Sequence, residues 1–272
     1  MKYCLPYIKN FKYMEELDEV IVPYEAGQDA AFLNTLLGKD KVINKRVIIQ
    51  VDSASAFIGE KSINFFAGMK KDHPEIDFCL KFAKYRKDMV EIYDELKKLE
   101  IPFFFDTYAR DWDMFTFLCD LGVSDIYIVE TLAFELDKIG AQATAKGISI
   151  RVFANVCQSS APEKDVVKSF FIRPEDVSIY EPYVDVIEFY GNDNIQEVSY
   201  KVYAKDGKWF GPLKEILIGF EHDMDSRFVM PVYARTRIKC GKRCLKGYNC
   251  SLCNRIVDVA DQLEDKGFYI KA

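Results

Sequence analysis

The sequence predicts an α/β protein: a parallel (β/α)8 TIM-like barrel with a C-terminal cysteine-rich metal-binding extension. Three observations support this. Short apolar, β-branched or aromatic runs alternate with amphipathic stretches, eight such runs read as strands, and four of the eight cysteines lie close together near the C terminus. Eight βα units close most naturally into a barrel, although an open doubly wound sheet would produce the same local pattern. We assign residues 1–205 to the barrel and 206–272 to the extension.

The eight predicted strands are bounded by turn residues or by helix-like stretches. They are Tyr3–Ile8, Val20–Tyr24, Val47–Asp52, Asp77–Phe82, Phe103–Asp106, Ile126–Glu130, Ser149–Asn155 and Val184–Phe189. The stretch after the fourth strand repeats apolar residues every three or four positions, from Met89 to Leu99, which is typical of a helix packed on a sheet. Gly122 and Gly147 stand where helices should end, and Pro174 stands in the first turn of another.

Polar residues, most of them acidic, end most of the predicted strands. They are Glu25, Asp52, Asp106, Glu130, Asn155 and Glu188. In a parallel barrel the carboxyl ends of the strands share one rim, and the catalytic groups of this fold come from that rim. We therefore predict these six as catalytic residues, serving as a general base, as metal ligands or as acceptors for substrate hydroxyls. The alternative is that each merely caps a strand or lies near a helix N-terminus.

The predicted metal ligands lie in the segment CGKRCLKGYNCSLC and are Cys240, Cys244, Cys250 and Cys253. Thiols this closely spaced are typical of a zinc site or an iron–sulfur cluster in a reducing compartment. Structural zinc sites often separate two cysteine pairs by a dozen or more residues, whereas only five residues lie between the pairs here, a spacing closer to iron–sulfur sequences. A cysteine-rich hairpin without a metal is the third alternative.

Basic residues surround the cysteine segment, and we predict that Arg237, Lys242 and Arg243 contact the cofactor. Nearby cations stabilise an anionic thiolate cluster and raise its reduction potential. The same residues could instead bind RNA or a phosphorylated substrate, or form a solvated turn. The net charge of −6 argues against bulk nonspecific binding of nucleic acid.

Cys157 follows the seventh predicted strand at the start of the longest connection in the barrel. Long connections in compact domains are usually functional, and we regard this thiol as an additional metal ligand. A role as a protease nucleophile is poorly supported, because His73 and His222 are the chain's two histidines and neither follows a predicted strand. We expect Cys4, Cys79 and Cys119 to be core residues.

The segments NVCQSSAP and FFIRPEDVSIYEPYVDVIEFYG, followed by a cysteine cluster, resemble the collagenase-like peptidase family U-32 from about Asp125 onward. The resemblance implies a TIM-barrel-like iron–sulfur protein, related to enzymes that hydroxylate ubiquinone precursors or RNA bases without oxygen. Glu130, Asp176 and Gly191 stand where the family has matching residues.

The sequence also departs from the family pattern. Glu188 and Asn192 replace a lysine and an arginine that are common in relatives, which implies a pocket of different charge. Ala161 replaces a second cysteine, so the C-terminal four cysteines become the better ligand set. Together with the spacing, the resemblance favours an iron–sulfur cluster, of the 4Fe–4S type, over zinc.

Two functional hypotheses follow. The first is an iron–sulfur barrel enzyme acting on a small aromatic molecule or RNA, with a redox partner. The second is a zinc-stapled barrel that acts as a binding or scaffold subunit; the peptidase chemistry of the family name lacks a nucleophile–base pair. A homodimer or heterodimer is compatible with both. The sequence has no signal-peptide-like start or membrane-length apolar run, which predicts a cytoplasmic protein without a membrane partner.

Overall fold

The computed structural model describes residues 1–8, 11–25, 27–38, 44–51, 60–129, 132–157, 170–220, 224–229, 231–241, 251, 253–256, 258 and 262. Within these residues, nine parallel strands form one sheet in the order β5-β4-β3-β2-β1-β9-β8-β7-β6. The strands are β1 (Lys2–Pro6), β2 (Glu19–Tyr24), β3 (Arg46–Val51), β4 (Phe78–Phe82), β5 (Phe103–Phe105), β6 (Tyr108–Ala109), β7 (Asp125–Ile128), β8 (Ser149–Phe153) and β9 (Val186–Glu188). The sheet is a nearly closed α/β barrel, which confirms the α/β barrel part of the predicted fold class.

The fifth predicted strand, Phe103–Asp106, corresponds to β5, and a further short strand, β6, follows it beyond the predicted range and lies at the other edge of the sheet. β5 pairs with β4, whereas β6 pairs with β7. Asp106 and Thr107 lie between the two short strands, and the N–H of Ser124 donates to the carbonyl of Phe103 over 2.9 Å. The prediction of eight strands is therefore corrected to nine, because one stretch of chain bends and serves both edges.

Helices follow most of the strands. They are α1 (Asp29–Leu37), α2 (Glu60–Asp72), α3 (Val90–Lys98), α4 (Trp112–Leu121), α5 (Leu136–Ala145), α6 (Val177–Tyr180), α7 (Asp193–Tyr200) and α8 (Pro231–Arg237). Tyr93 and Leu96 of α3 are buried, as the apolar spacing predicts. Gly122 ends α4 in the left-handed conformation at φ 76°, which suits a residue without a Cβ.

The remaining helix signals also have structural counterparts. Gly147 follows α5 with φ 68°, and Pro174 begins a 3-10 turn, Pro174–Asp176, that leads into α6. A π-helical turn, Lys201–Asp206, continues α7. Among the described helices the longest, α2, has 13 residues, fewer than the roughly 20 that a membrane-crossing helix requires.

Two apolar clusters form the core. The larger one surrounds the sheet and contains Cys4, Cys79 and Cys119, which confirms that these three cysteines are core residues. The second cluster lies beyond the carboxyl end of β8 and includes Cys157, Phe171, Tyr233, Cys253 and Ile256. The division at residue 205 stays a prediction, as does a separate cysteine-rich extension, because residues 242–250 lie outside the described part of the chain.

Candidate functional site

Charged side chains extend through the interior of the barrel from one end to the other. We call them the interior charge network: Glu19, Arg46, Lys81, Asp106, Asp125, Arg151 and Glu188. They lie on or next to seven different strands and form ion pairs with one another. Because an unpaired charge inside a protein is costly, the arrangement of cations and carboxylates decides which part of the network can serve a ligand.

At the amino-terminal end of the barrel both carboxylates contact both arginines, although the buried Arg151 Nε has no hydrogen-bond partner among the described residues. Arg46 donates to Asp125 through both terminal nitrogens, over 2.9 and 2.7 Å. Arg151, which is completely buried, donates to Glu19 over 2.7 Å and to Asp125 over 2.9 Å. Burial opposes ionisation of Asp125, yet the charge of Arg151 and the hydrogen bond from Arg46 outweigh it, so the pKa of Asp125 lies below its ordinary value.

At the carboxyl end the network consists of Lys81, Asp106 and Glu188. Lys81 is the penultimate residue of β4, Glu188 is the last of β9, and Asp106 directly follows β5. The Lys81 Nζ lies 3.3 Å from Asp106 Oδ1 and 3.6 Å from Glu188 Oε1. Active sites of α/β barrels are built at this end, so these three side chains form the polar part of the candidate site.

Glu188 is buried and well supplied with partners. The Tyr127 hydroxyl donates to its Oε2 over 2.6 Å, and an Arg151 terminal nitrogen lies 3.4 Å from the same oxygen. Asp106 differs, since its side chain is 36% exposed and its Oδ1 accepts no hydrogen bond from the described residues. Asp106 is thus the member of the network that can receive a ligand.

Aromatic rings line the same end of the barrel. Phe153, the last residue of β8, stacks on Tyr127 with ring centroids 5.3 Å apart. Tyr108 and Tyr190 both meet Phe153 edge to face, at centroid distances of 6.1 and 6.2 Å. Tyr190 is 59% exposed, so its ring remains accessible. We call the polar trio together with Tyr108, Phe153 and Tyr190 the mouth site.

Tyr108 and Tyr127 stay protonated at ordinary pH, because the pKa of each is raised. Burial, together with the negative charges of Asp106 and Glu188, raises the pKa of Tyr108 to about 12. Burial and the charge of Glu188 raise the pKa of Tyr127 well above its ordinary value. Both rings are therefore neutral π surfaces rather than phenolates.

The six residues predicted from strand ends have different environments. Asp106 and Glu188 meet at Lys81, as described. Glu25 is exposed and accepts a hydrogen bond from the Gln28 side chain over 2.7 Å, away from the ion pairs of the mouth site. Asp52 and Glu130 lie outside the described residues.

Asn155 is fully buried and holds two parts of the chain together. Its side-chain amide donates to the Tyr190 carbonyl over 2.8 Å, and its Oδ1 accepts the Tyr190 N–H over 2.8 Å. It also donates to the Ser199 hydroxyl over 3.2 Å. With both ends of its amide occupied in this way, Asn155 fixes the position of Tyr190 at the mouth.

The predicted metal ligands are described only in part. Cys240 is partly exposed, Cys253 is buried, and Cys244 and Cys250 lie outside the described residues, as do Lys242 and Arg243. Arg237 donates to the Cys253 sulfur over 3.5 Å, and its guanidinium lies 4.1 Å from the ring centroid of Phe134. Among the described residues no three histidine, cysteine or carboxylate side chains are grouped as a metal site.

The mouth site and the second apolar cluster meet at residues 155–157. The N–H of Ile218 donates to the Asn155 carbonyl, and the N–H of Cys157 donates to the Ile218 carbonyl, each over 2.8 Å. Cys157 belongs to the same buried cluster as Cys253. The end of β8 therefore connects the mouth site to the region that contains Cys253.

Sequence reasoning missed Lys81, Tyr108, Phe153 and Tyr190 as site residues. A signal for Lys81 was present, because a lysine within the apolar strand FCLKF has to point into the barrel or lose its charge. The three rings carry no comparable signal, since aromatic residues are common in strands whether or not they line a site.

The strand order and the surrounding helices define an α/β barrel. No family model matches the sequence, and no curated protein matches it. Among solved structures, the chain is similar to the U32 peptidase Mk0906, with a TM-score of 0.42 and 11% identity over 71% of this chain and 94% of that one.

Two further solved structures are similar at comparable identity. A conserved protein of unknown function from a locus in Enterococcus faecalis has a TM-score of 0.40 and 10% identity over 78% of this chain and 68% of that chain. The 4-hydroxy-2-oxoglutarate aldolase/2-deydro-3-deoxyphosphogluconate aldolase from TTHB1 has a TM-score of 0.29 and 12% identity over 68% and 90%. Similarities at these TM-scores carry no argument about this chain, so a place in family U-32 stays a proposal.

Proposed function

We propose that this protein is a barrel enzyme that binds a small aromatic substrate at the mouth site and that Cys240, Cys244, Cys250 and Cys253 hold an iron–sulfur cluster for redox chemistry. Oxygen-independent hydroxylation, or a related redox reaction, is the finer form of this proposal. The observation that carries it is the meeting of Lys81, Asp106 and Glu188 beside accessible aromatic rings at the carboxyl end of the barrel.

The rings of the mouth site suit a planar substrate. The Tyr190 and Tyr108 rings stand roughly perpendicular to Phe153, at 87° and 70°, so a substrate ring can stack or meet an edge there. Lys81 supplies a charged donor for an oxygen of the substrate, and Asp106 supplies an acceptor. Proton transfer to or from the substrate falls to these two groups, because Glu188 is already occupied by Tyr127 and Arg151.

The described part of the cysteine segment contains one contact that supports a thiolate-held cluster. A buried sulfur that accepts a hydrogen bond from Arg237 is suited to a negatively charged ligand, because the guanidinium offsets the charge of a thiolate. Cys157, in the same buried cluster as Cys253, is a candidate for a further ligand. When bound, an iron–sulfur cluster supplies one-electron transfer. The connection of both cysteines to the end of β8 supports a cluster close to the mouth site.

The test is anaerobic purification followed by iron, sulfide and zinc analysis. We expect stoichiometric iron and sulfide and a brown protein, and we expect Cys250→Ser to lose most of the iron. Cys119→Ser is the matched control, because Cys119 is a core residue of α4 and should leave the iron content unchanged. A colourless protein with stoichiometric zinc and no iron would instead identify the zinc-stapled binding subunit.

The proposal brings further expectations. Hydroxylation that takes its oxygen from water removes two electrons and two protons from the substrate, so an electron acceptor, such as an oxidised redox partner protein, should restore turnover where the isolated chain has none. We propose a cytoplasmic location because thiolate clusters persist under reducing conditions. A homodimer or heterodimer stays a proposal that size-exclusion chromatography with light scattering would test.

A further inference from the structure

The interior charge network has an unequal number of charges. Its carboxylates are Glu19, Asp106, Asp125 and Glu188, and its cations are Arg46, Lys81 and Arg151. Four carboxylates face three cations, so one negative charge is left over among these seven residues. Since charges inside a barrel are poorly screened by water, the location of this excess matters for what can bind.

The excess lies at Asp106. Glu19 and Asp125 each contact both Arg46 and Arg151, and Glu188 contacts Arg151 and Lys81. Within the described network Asp106 contacts one cation, Lys81, which Glu188 shares.

The geometry at Asp106 points the same way. Its Oδ1 is buried and accepts no hydrogen bond from the described residues, while the side chain as a whole remains 36% exposed at the mouth. The Lys81 Nζ, 3.3 Å from this oxygen, is shared with Glu188 Oε1 at 3.6 Å, so a ligand N–H group at the exposed side of the Asp106 carboxylate would complete its hydrogen bonding.

The rings around Asp106 favour the same kind of ligand. Tyr108 lies two residues from Asp106 and contacts Phe153, which in turn contacts the exposed Tyr190. The faces of neutral aromatic rings carry negative electrostatic potential and attract cations. The charge of Arg110 also reaches Tyr108, but Arg110 is exposed, where water and salt screen it.

We infer that the substrate of the mouth site carries an ammonium group beside its aromatic ring, and that Asp106 receives this group while the ring packs against Tyr190 and Phe153. This inference rests on the proposed function of the mouth site. A carboxylate or phosphate in the same place would meet Asp106 and Glu188, and the cations that contact these two, Lys81 and Arg151, are already engaged with carboxylates. The ring then gives affinity and the ammonium group gives selectivity.

The test compares three probes of similar size and different charge on the full chain: benzylammonium, benzyl alcohol and benzoate. Isothermal titration calorimetry at constant ionic strength suits fragments that bind with dissociation constants on the order of 1 mM. We expect benzylammonium to bind at least about tenfold more tightly than benzyl alcohol and benzoate to bind most weakly. Equal binding of all three probes, or tighter binding of benzoate, overturns the inference.

Variants separate the role of Asp106 from general charge effects. Asp106→Asn should weaken benzylammonium about tenfold and leave benzyl alcohol unchanged, whereas Asp106→Glu should retain part of the preference. Asp94→Asn is the matched control, since Asp94 is an exposed residue of α3 paired with Lys97. An equal loss in Asp94→Asn and Asp106→Asn would mean long-range charge alone, which also overturns the inference.

The outcomes also distinguish this inference from the proposed function. If benzyl alcohol or benzoate binds best and Tyr190→Ala weakens that binding severalfold, the mouth site stands and the ammonium inference fails. If no probe binds at up to about 20 mM, roughly twentyfold above the expected dissociation constant, both fail.

Discussion

Both ends of the barrel interior contain carboxylates and basic side chains, but the two ends differ in how the carboxylates are paired. At the amino-terminal end, Arg46 and Arg151 each contact both Glu19 and Asp125. Arg46 lies 3.4 Å from Glu19, and the other three pairs have nitrogen–oxygen distances of 2.7 to 2.9 Å. At the carboxyl end, Lys81 lies at more than 3.2 Å from its partners, and Asp106 is partly exposed. The difference indicates that one end stabilises the fold and the other is open to ligands.

Arg151 connects these two ends, because it contacts Glu19, Asp125 and Glu188. Substituting it by methionine, which has similar length and no charge, leaves three buried carboxylates with reduced compensation. We expect Arg151→Met to lower the free energy of unfolding by about 3–5 kcal/mol, measured by urea denaturation.

The control for this variant is Lys97→Met, which removes an exposed ion pair with Asp94 and should cost at most about 1 kcal/mol. If Arg151→Met costs as little as Lys97→Met, the amino-terminal end is not the structural half of the network, and the contrast between the two ends fails.

Asp125 gives the amino-terminal end a pH dependence. Although burial opposes its ionisation, Arg151 and Arg46 lower its pKa in the folded protein below the value of about 3.9 in an unfolded chain. The unfolded state therefore binds more protons, so the stability from Asp125 is present above about pH 3.9 and is lost as pH falls through the lowered pKa.

Asp125→Asn should lower the free energy of unfolding at neutral pH by about 2 kcal/mol. The reason is that Arg46 and Arg151 then donate to a neutral amide instead of a charged carboxylate. The difference in free energy of unfolding between the variant and the original protein should become smaller as pH falls below about 4, as measured by urea denaturation at several pH values. A gap that stays constant across this range would contradict the role given to Asp125.

Tyr190 provides the smallest expected change in stability and a test of the carboxyl end. Because its ring is 59% exposed, Tyr190→Ala should change the free energy of unfolding by about 0.5 kcal/mol or less. The affinity for the best-binding probe should fall severalfold, measured by calorimetry. A loss of stability above about 1 kcal/mol with unchanged affinity would make Tyr190 a structural residue and would move the site away from these rings.

Local pattern alone was sufficient for most of the fold. The eight predicted strands overlap the observed ones, and the glycine and proline signals at Gly122, Gly147 and Pro174 occur at helix boundaries. Such features depend on residues close in sequence: alternation of apolar runs, positive φ at a helix end, and the fixed φ of proline. The short strand β6 was missed, because two residues carry no strand pattern of their own and β6 exists through its pairing with β7.

The site residues could be predicted less well than the fold from local sequence patterns. Asp106 and Glu188 were predicted as rim residues and do meet at the carboxyl end, but Lys81 between them was missed, and Asn155 proved to hold the Tyr190 backbone. The roles of these residues depend on partners that are distant in sequence; Tyr190, for example, lies 35 positions after Asn155. Strand ends alone do not distinguish an occupied carboxylate from one open to a ligand.

The sequence by itself determined that this chain alternates strands and helices, that acidic residues collect at strand ends, and that four cysteines lie close together near the C terminus. Only the tertiary structure decided which charges neutralise one another, and it left Asp106 with an oxygen that accepts no hydrogen bond from the described residues. The physical reason is that ion pairing inside a barrel joins residues as far apart as Glu19 and Arg151, 132 positions along the chain, whose proximity no local pattern encodes.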